Sequence, residues 1–425
     1  MSGPNPFDVL KERGFVAQVT DEAALREAFA TGPVTAYVGY DPTAASLHVG
    51  HLFTIMSLIH LERLGHRPIV VLGGGTAMVG DPSGKTEMRQ MLTLEQIQTN
   101  RDAFRMQMGR FLDPQKTVVV DNAEWLFDLK YIEFLRDIGR HFSVNRMLAA
   151  EAYKLRLERG LSFIEFNYQL LQAYDFLELR RRYNCRLQMG GDDQWGNILA
   201  GVDLCRRVDQ ELVHGLTFPL LLTATGHKMG KTEAGAVWLD ADKLSAYDYY
   251  QYWVNVHDAD VTRMLGFFTF LPMEEVRAVA TLSGADLNAA KAILAYEATS
   301  IVHGAQIAAK AHSAAQAAFG QRALPRTILP SSPVPRGGGA DVAEIPTTTL
   351  AATDLEKGIA LANLLVQTGL AASANEARRK IGENAVKLND TVVSDPRYTL
   401  THQDFAAGRL ILRLGKKRVH QVRVQ

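Results

Sequence analysis

His48-Val49-Gly50-His51 and, far downstream, Lys228-Met229-Gly230-Lys231-Thr232 are the segments of this chain best suited to chemistry. Each pairs like side chains three residues apart, imidazoles in the first and ammoniums in the second. Such donors, at a helix start and on a loop, suit a polyphosphate whose charge migrates toward a leaving group. Lys85 and Arg89, on a Gly/Pro/Ser-containing stretch between them, add further cations. Together the residues read as a site that holds ATP and stabilises departing pyrophosphate. Paired histidines near a helix start also serve as surface or capping residues, and paired lysines in a turn as solvated charge. The strand–turn–helix context of the first segment, and the presence of the second, favour chemistry.

Two look-alikes fail. Gly80-Asp81-Pro82-Ser83-Gly84-Lys85-Thr86 has three residues between its glycines where a P-loop needs four, and Gly73-Gly74-Gly75 does not continue as a dinucleotide fingerprint. A second polar constellation lies on a helix expected over Ser162–Arg182, opened by a capping box of Ser162 and Glu165. Tyr168, Gln172 and Asp175 recur there at i, i+4 and i+7 between Phe163, Phe166, Leu170, Leu171, Phe176 and Leu177. A solvated face carries Lys, Glu and Arg; Tyr, Gln and Asp suit a buried pocket in which each group directs a hydrogen bond.

The elements that must position these residues alternate. Val34–Tyr40, Pro68–Gly73, Thr117–Asp121 and Cys185–Met189 read as strands, and Leu52–Leu64 as an amphipathic helix with His48 and His51 at its start. Alternation predicts a doubly wound parallel sheet of Rossmann-like α/β class, with ligands at the carboxyl ends of the strands. From Ser245 to about Gly320 the pattern is helical. Pro325, Pro330, Pro333, Pro335 and Gly337-Gly338-Gly339 then read as a linker. The chain has 425 residues, with 46 Lys plus Arg against 46 Asp plus Glu, so no global basic field marks it as an electrostatic nucleic-acid binder. Cys185 and Cys205 are too few for a disulfide framework and read as core thiols. The N-terminus lacks the regions of a signal peptide and no apolar run has membrane-spanning length, so a cytoplasmic protein is expected. Residues 356–425 hold twelve Lys/Arg against six Asp/Glu, a local net of +6. Within them, Ser373 and Glu376 form a capping box before a helix carrying Arg378, Arg379 and Lys380, with Gly382 at its end. Ala385–Asp390 reads as a strand entering a turn, and Lys416, Lys417 and Arg418 follow.

Tyr37-Val38-Gly39-Tyr40-Asp41-Pro42-Thr43, Gly80–Lys85, Tyr168–Asp175, Gln188–Trp195 and Tyr247–Trp253, with the two phosphate segments, resemble the bacterial tyrosyl-tRNA synthetases, class I aminoacyl-tRNA synthetases. Val38 stands where some relatives have a ribose-contacting cysteine, and Gly230 where the commonest form has serine, which suggests extra loop mobility. The resemblance implies that His48, His51, Lys228, Lys231, Thr232, Lys85, Arg89 and Thr43 act in catalysis. It implies tyrosine binding by Tyr37, Asp81, Tyr168, Gln172, Asp175 and Gln188, the phenol lying between Tyr37 and Asp175. It implies a nucleotide site of Gly39, Asp41, Gly50, Thr54, Gly190, Gly191, Asp193 and Gln194 beside Lys228 and Lys231. The charge of Asp192 has no assigned role.

By the same resemblance, the basic C-terminal residues Arg378, Arg379, Lys380, Lys387, Lys416, Lys417 and Arg418 belong to an alpha-L RNA-binding motif. The implied organisation is a catalytic domain over 1–235 with a dimer-interface insertion around Phe127–Met147, then a helical tRNA-binding domain over 236–320. A linker over 321–354 and a small α+β RNA-binding domain over 355–425 complete it. The implied substrates are L-tyrosine, ATP with Mg2+ on its phosphates and no protein-bound metal, and tRNA(Tyr), served by a homodimer. A tryptophan-specific relative shares the phosphate segments, but an indole has no oxygen for Tyr37 and Asp175. A non-catalytic RNA-binding protein on the same scaffold would not need His48, His51, Lys228 and Lys231. Pyrophosphate exchange into ATP, run with each amino acid in turn, separates these readings.

Overall fold

The computed structural model describes residues 3–83, 92–149, 153, 157–158, 160–232, 235–319, 323–337, 347–352, 355, 358–389, 391–405, 408–415 and 418–424. Lys85, Arg89, Lys416 and Lys417 lie outside the described residues. The chain forms two compact units: Met1–Gly230 with Trp238–Asp240 and Arg263–Met273, and Lys231–Val237 with Ala241–Thr262 and Glu274–Gln425.

The first unit is built on a six-stranded sheet of β1 (Gln18–Val19), β2 (Thr35–Tyr40), β3 (Arg67–Leu72), β4 (Val118–Asp121), β5 (Cys185–Gly191) and β6 (His214–Phe218), ordered β1-β6-β5-β2-β3-β4. β2 to β6 pair in parallel and β1 closes the edge antiparallel to β6. Strands covered on both faces read as continuous apolar runs, and Ile69, Val70, Val71 and Leu72 are all buried. The chain lays β3 and β4 outward from β2, then returns to place β5 on β2's other side. Strand order reverses there, which opens a crevice at the carboxyl ends of β2 and β5. Asp192, at the end of β5, accepts from Gln18 Nε2 at 2.6 Å and Thr217 Oγ1 at 2.8 Å. Its charge thus ties the outer strands to β5. Around the sheet lie α1 (Val49–Arg63), α2 (Phe163–Tyr183) and α3 (Trp195–Val208). The capping box of Ser162 and Glu165 opens α2 as its sequence predicts. Cys185 and Cys205 are buried free thiols.

The second unit contains α4 (Ala246–Val254), α5 (Gly284–His303), α6 (Ala305–Phe319) and a smaller α+β part. The latter has α7 (Leu361–Gln367), α8 (Ala374–Gly382) and a sheet of β12-β11-β14-β15-β9. Its strands are β9 (Thr347–Leu350), β11 (Val386–Leu388), β12 (Thr391–Val393), β14 (Arg409–Leu414) and β15 (Arg418–Val424). Short pairs β7 (Lys231–Thr232) with β8 (Gly235–Ala236), and β10 (Ile359–Ala360) with β13 (Thr399–Leu400), complete the strands. The capping box at α8 is half-formed: Ser373 caps Glu376 N–H, but Glu376 accepts from Ala372 N–H instead. Gly382 is still helical, and the left-handed turn after α8 falls to Asn384 at φ 58°.

The proline-rich segment forms no helix or strand over residues 323–337, and it lies against the helices. Leu324, Ile328, Leu329 and Val334 are buried. Prolines remove N–H donors, so side chains must satisfy the carbonyls. Arg336 donates to the carbonyls of Pro325, Ile328 and Leu329, and His312, hydrogen-bonded to Tyr250 Oη at 2.8 Å, meets that of Pro335.

In the first unit, His60 is 5% exposed between Phe15 and Phe270, and its Nε2 has no hydrogen-bond partner among the described residues. Burial, then the Arg13 and Arg63 charges, push its pKa down from 6.5 to about 3. The folded state therefore favours the neutral ring: the contribution to stability is full above 6.5 and is lost as pH falls toward 3. His60→Phe should reduce the fall in urea midpoint between about pH 8 and about pH 5. Equal falls in both proteins would remove His60 from the acid response.

Candidate active site

His48 and His51 form their own capping box. His48 Nδ1 accepts from Gly50 N–H at 3.0 Å, and His51 Nδ1 accepts from His48 N–H at 3.1 Å. The helix begins at Val49, so His48 is its N-cap and His51 sits in its first turn. With each Nδ1 an acceptor, the neutral rings carry their protons on Nε2, as donors. The rings stack with centroids 3.9 Å apart. Burial, then the neighbouring His48, hold His51 well below the usual imidazole range, so it stays neutral. Capping and chemistry are therefore compatible. Gly50 was expected to let a nucleotide approach the backbone, but its N–H is taken by His48. A Cβ there would meet the His48 ring at 2.8 Å, so glycine at this place makes room for the imidazole.

Leu221–Gly230 is a tight hairpin. Met229 N–H donates to Leu221 O at 2.8 Å, and Thr223 N–H to His227 O at 2.8 Å. Gly230 has φ 80°, and a Cβ on it would lie 3.4 Å from Val49 Cβ and 3.5 Å from Gly50 N. Its glycine thus serves a left-handed turn packed on the start of α1. Lys228, two residues before Gly230 in this hairpin, is exposed. Lys231 and Thr232 follow in chain as β7. Trp238 forms a bridge with His48, and Leu239 N–H donates to Leu47 O at 2.9 Å, closing the other side of the helix start. Thr54 donates to His51 O and hydrogen-bonds Tyr40 Oη. Gly39 is exposed in an otherwise buried β2, and Thr43 is exposed just beyond it.

At the opposite end of the crevice, Asp175 is 4% exposed. Its Oδ1 accepts from Trp125 Nε1 at 2.8 Å and its Oδ2 from Asn122 Nδ2 at 2.9 Å. Burial raises its pKa to about 7, against the pull of those donors. Tyr37 is 2% exposed, and its hydroxyl has no hydrogen-bond partner among the described residues. Burial, then the Asp175 charge, raise its pKa well above the usual phenol range. Gln188 is the register partner of Tyr37, and its buried Oε1 is likewise without a partner among the described residues. Tyr168 Oη donates to Asp41 Oδ2 at 3.1 Å. Asp41, expected with the nucleotide residues, therefore joins the tyrosine-end group. Asp81 accepts from Gln194 Nε2 at 2.7 Å and from Ser83 N–H at 3.0 Å, while Gln172 Oε1 accepts from Asn197 Nδ2 at 3.0 Å. Gly190 and Gly191 end β5 beside Gln194 and Asp193: added Cβ atoms would lie 3.2 Å from Gln194 Cβ and 2.5 Å from Asp193 Oδ1.

This arrangement, a neutral imidazole pair and a lysine hairpin at one end and the buried polar groups of Tyr37, Asp175 and Gln188 at the other, can be set against known proteins. Residues 30–320 match the family model of class I tRNA synthetases (W and Y). The chain belongs to this family. Residues 340–422 match the tyrosine–tRNA ligase SYY-like C-terminal domain. A tyrosine–tRNA ligase of Desulfosudis oleivorans is 54% identical over 98% of each chain, and one of Syntrophus aciditrophicus 53% identical over 99% of each. A C-terminally truncated mitochondrial tyrosyl-tRNA synthetase of Aspergillus nidulans superposes with TM-score 0.68 at 30% identity, covering 75% of this chain and 95% of that one.

Sequence reasoning missed Asn122, Trp125, Thr76, Ser83 and Asn197. Asn122 follows β4 directly, where parallel sheets place site residues, so the strand-end rule could have found it. Trp125 and Asn197 carry no signal beyond their neighbours.

His48→Ala should lose the cap and cost about 1 kcal/mol of stability, whereas His48→Asn keeps an acceptor and should cost much less. Urea unfolding of both variants checks this; equal losses would show that the cap is not what His48 contributes.

Proposed function

We propose that the crevice activates L-tyrosine with ATP and passes the tyrosyl group to the 3′-terminal adenosine of tRNA(Tyr), the activity of a tyrosine–tRNA ligase (EC 6.1.1.1). The observation that carries the substrate assignment is the orphaned, buried Tyr37 hydroxyl near an Asp175 that is held as an acceptor by two donors. A substrate phenol donates to a remaining lone pair of Asp175 and accepts from Tyr37; phenylalanine leaves the Tyr37 hydroxyl unpaired and gives Asp175 no third donor. Asp81, Tyr168 and Gln172 receive the substrate ammonium, with Gln188 behind the ring.

The tyrosine carboxylate attacks the α-phosphorus of ATP in line. A carboxylate–phosphorus bond forms, the bond to the β-phosphate oxygen breaks, and pyrophosphate leaves with the electron pair. His48 and His51 donate through Nε2, and Lys228 and Lys231, with Lys85 and Arg89, meet charge on the departing phosphates. Gly39, Gly190, Gly191, Asp193, Gln194, Thr43 and Thr54 frame the nucleotide. A ribose hydroxyl of tRNA then attacks the tyrosyl carbonyl and AMP departs. Magnesium travels on the ATP phosphates, whose oxygens hold it.

Residues 236–320 and 355–425 serve tRNA. Arg378, Arg379 and Lys387 are exposed on α8 and β11, and Asn389 fixes the adjoining turn by accepting from Ile411 N–H at 2.9 Å. Phe127, Tyr131, Ile132, Val144 and Phe163 are exposed apolar side chains of the first unit, which supports a homodimer through that face. No described helix is long and apolar enough to cross a membrane, and the proposed location is the cytoplasm.

Pyrophosphate exchange tests the assignment. Asp175→Ala should cut tyrosine activation by about tenfold to a hundredfold and shrink the preference over phenylalanine; Tyr37→Phe should do so by about two- to tenfold. A folded Asp175→Ala protein with an undiminished tyrosine-to-phenylalanine ratio would remove phenol recognition from this pocket. Replacing Arg378, Arg379 and Lys380 together by Ala should leave adenylate formation intact. It should weaken tRNA binding and lower the slope of log affinity against log salt by about 2. An unchanged slope would place RNA contact elsewhere.

A further inference from the structure

Gly73-Gly74-Gly75-Thr76 leads out of β3 and belongs to no nucleotide fingerprint. Each glycine leaves room for a side chain of the tyrosine end. A Cβ on Gly73 would stand 2.1 Å from Asp41 Oδ1 and 2.5 Å from Thr76 Oγ1; one on Gly74 would stand 2.3 Å from Asp121 Oδ1, and one on Gly75 2.8 Å from Leu126 Cδ1. Asn122 Oδ1 accepts from Gly75 N–H at 2.8 Å, which points its amide NH₂ the other way. One hydrogen of that group goes to Asp175 and the other to Thr76 Oγ1, at 3.0 Å. The Thr76 hydroxyl, having accepted, spends its single proton on Asp41 Oδ1 at 2.7 Å, and Asp41 Oδ2 accepts from Tyr168. A continuous chain of hydrogen bonds thus links Asp175, Asn122, Thr76, Asp41 and Tyr168, with Asn122 donating to both of its neighbours and Asp41 accepting from both of its own. Asp175, Asn122, Thr76 and Tyr168 are all buried.

We propose that Thr76 is a positioning residue that couples the phenol end of the amino-acid pocket to its ammonium end. Selection of tyrosine over phenylalanine at Asp175 then depends on Asp41 and Tyr168. The inference rests on the tyrosine-activating reading above. With the Thr76 hydroxyl in place, the Asn122 amide cannot turn, and Asp175 keeps one open lone-pair direction for the phenol. Without it, Asn122 and Asp175 reorient and the carboxylate finds other partners when phenylalanine is bound. Tyr168 meets a group common to both amino acids. An uncoupled Tyr168 would therefore affect both alike.

The test is pyrophosphate exchange by the full chain with tyrosine and with phenylalanine. Thr76→Val should raise the tyrosine KM and lower the tyrosine-to-phenylalanine kcat/KM ratio by about tenfold, with the ATP KM within about twofold of wild type. Thr76→Ser should restore the ratio, and Gly73→Ala, which displaces Asp41 and Thr76, should reproduce the loss. Tyr168→Phe should lower the ratio when Thr76 is present and leave it unchanged when combined with Thr76→Val. Equal losses for both amino acids in Thr76→Val and Gly73→Ala would overturn the coupling. Should Thr76→Val not fold, an unchanged ratio in Tyr168→Phe alone overturns it. No tyrosine-dependent exchange by the wild-type chain would sink the tyrosine reading instead, and the relay with it.

Discussion

A carboxylate buried at the carboxyl ends of parallel strands must be met by donors, and Asp175 sets that demand for this molecule. Desolvation pushes its pKa to about 7, so the folded chain spends Trp125 and Asn122 on it. Asn122 can serve only because β4 ends where its amide reaches both α2 and the glycines after β3. Those glycines are needed because Asp41, Asp121 and Leu126 occupy the volume their side chains would fill. The glycines after β3 and the polar groups around them are thus fitted to one buried carboxylate and its donors.

At the other end of the crevice the constraint is the start of a helix. Free N–H groups at a helix start need acceptors, and here two imidazoles supply them. Using each Nδ1 as a cap decides the tautomer and makes each Nε2–H the donor. The cap and the donor are thus different atoms of the same rings. Gly230 completes the arrangement, since only a residue tolerant of φ 80° brings the lysine hairpin so close to Val49 and Gly50.

The second unit shows how irregular backbone is held. Prolines after residue 324 forgo regular hydrogen bonding, and Arg336, His312 and buried apolar side chains replace it. The small sheet and α7–α8 enclose their own apolar core around Leu361, Leu365, Ile381, Val386 and Leu412. That core leaves the basic residues of α8 on the outside.

Strand periodicity, the Ser162 capping box and the spacing of His48 with His51 and of Tyr168 with Asp175 were legible in the sequence, because each is a local pattern of side-chain direction. Composition marked the proline-rich segment as irregular but not what it packs against, since its carbonyls are met by Arg336 within it and by His312 on α6. The roles of Gly50 and Gly230 were likewise hidden, as a glycine's purpose is the neighbour that fills its missing side chain. Asp192 looked unassigned because its partners, Gln18 and Thr217, come from opposite ends of the first unit. Asn122, Trp125 and Thr76 stand far from Asp175 along the chain, and only the order of β2, β3, β4 and β5 brings them together. The sequence by itself determined which elements form and which chemical groups they carry. The tertiary structure decided which of those groups meet, because hydrogen bonds between distant residues depend on strand order and close approach, and neither is written in local periodicity.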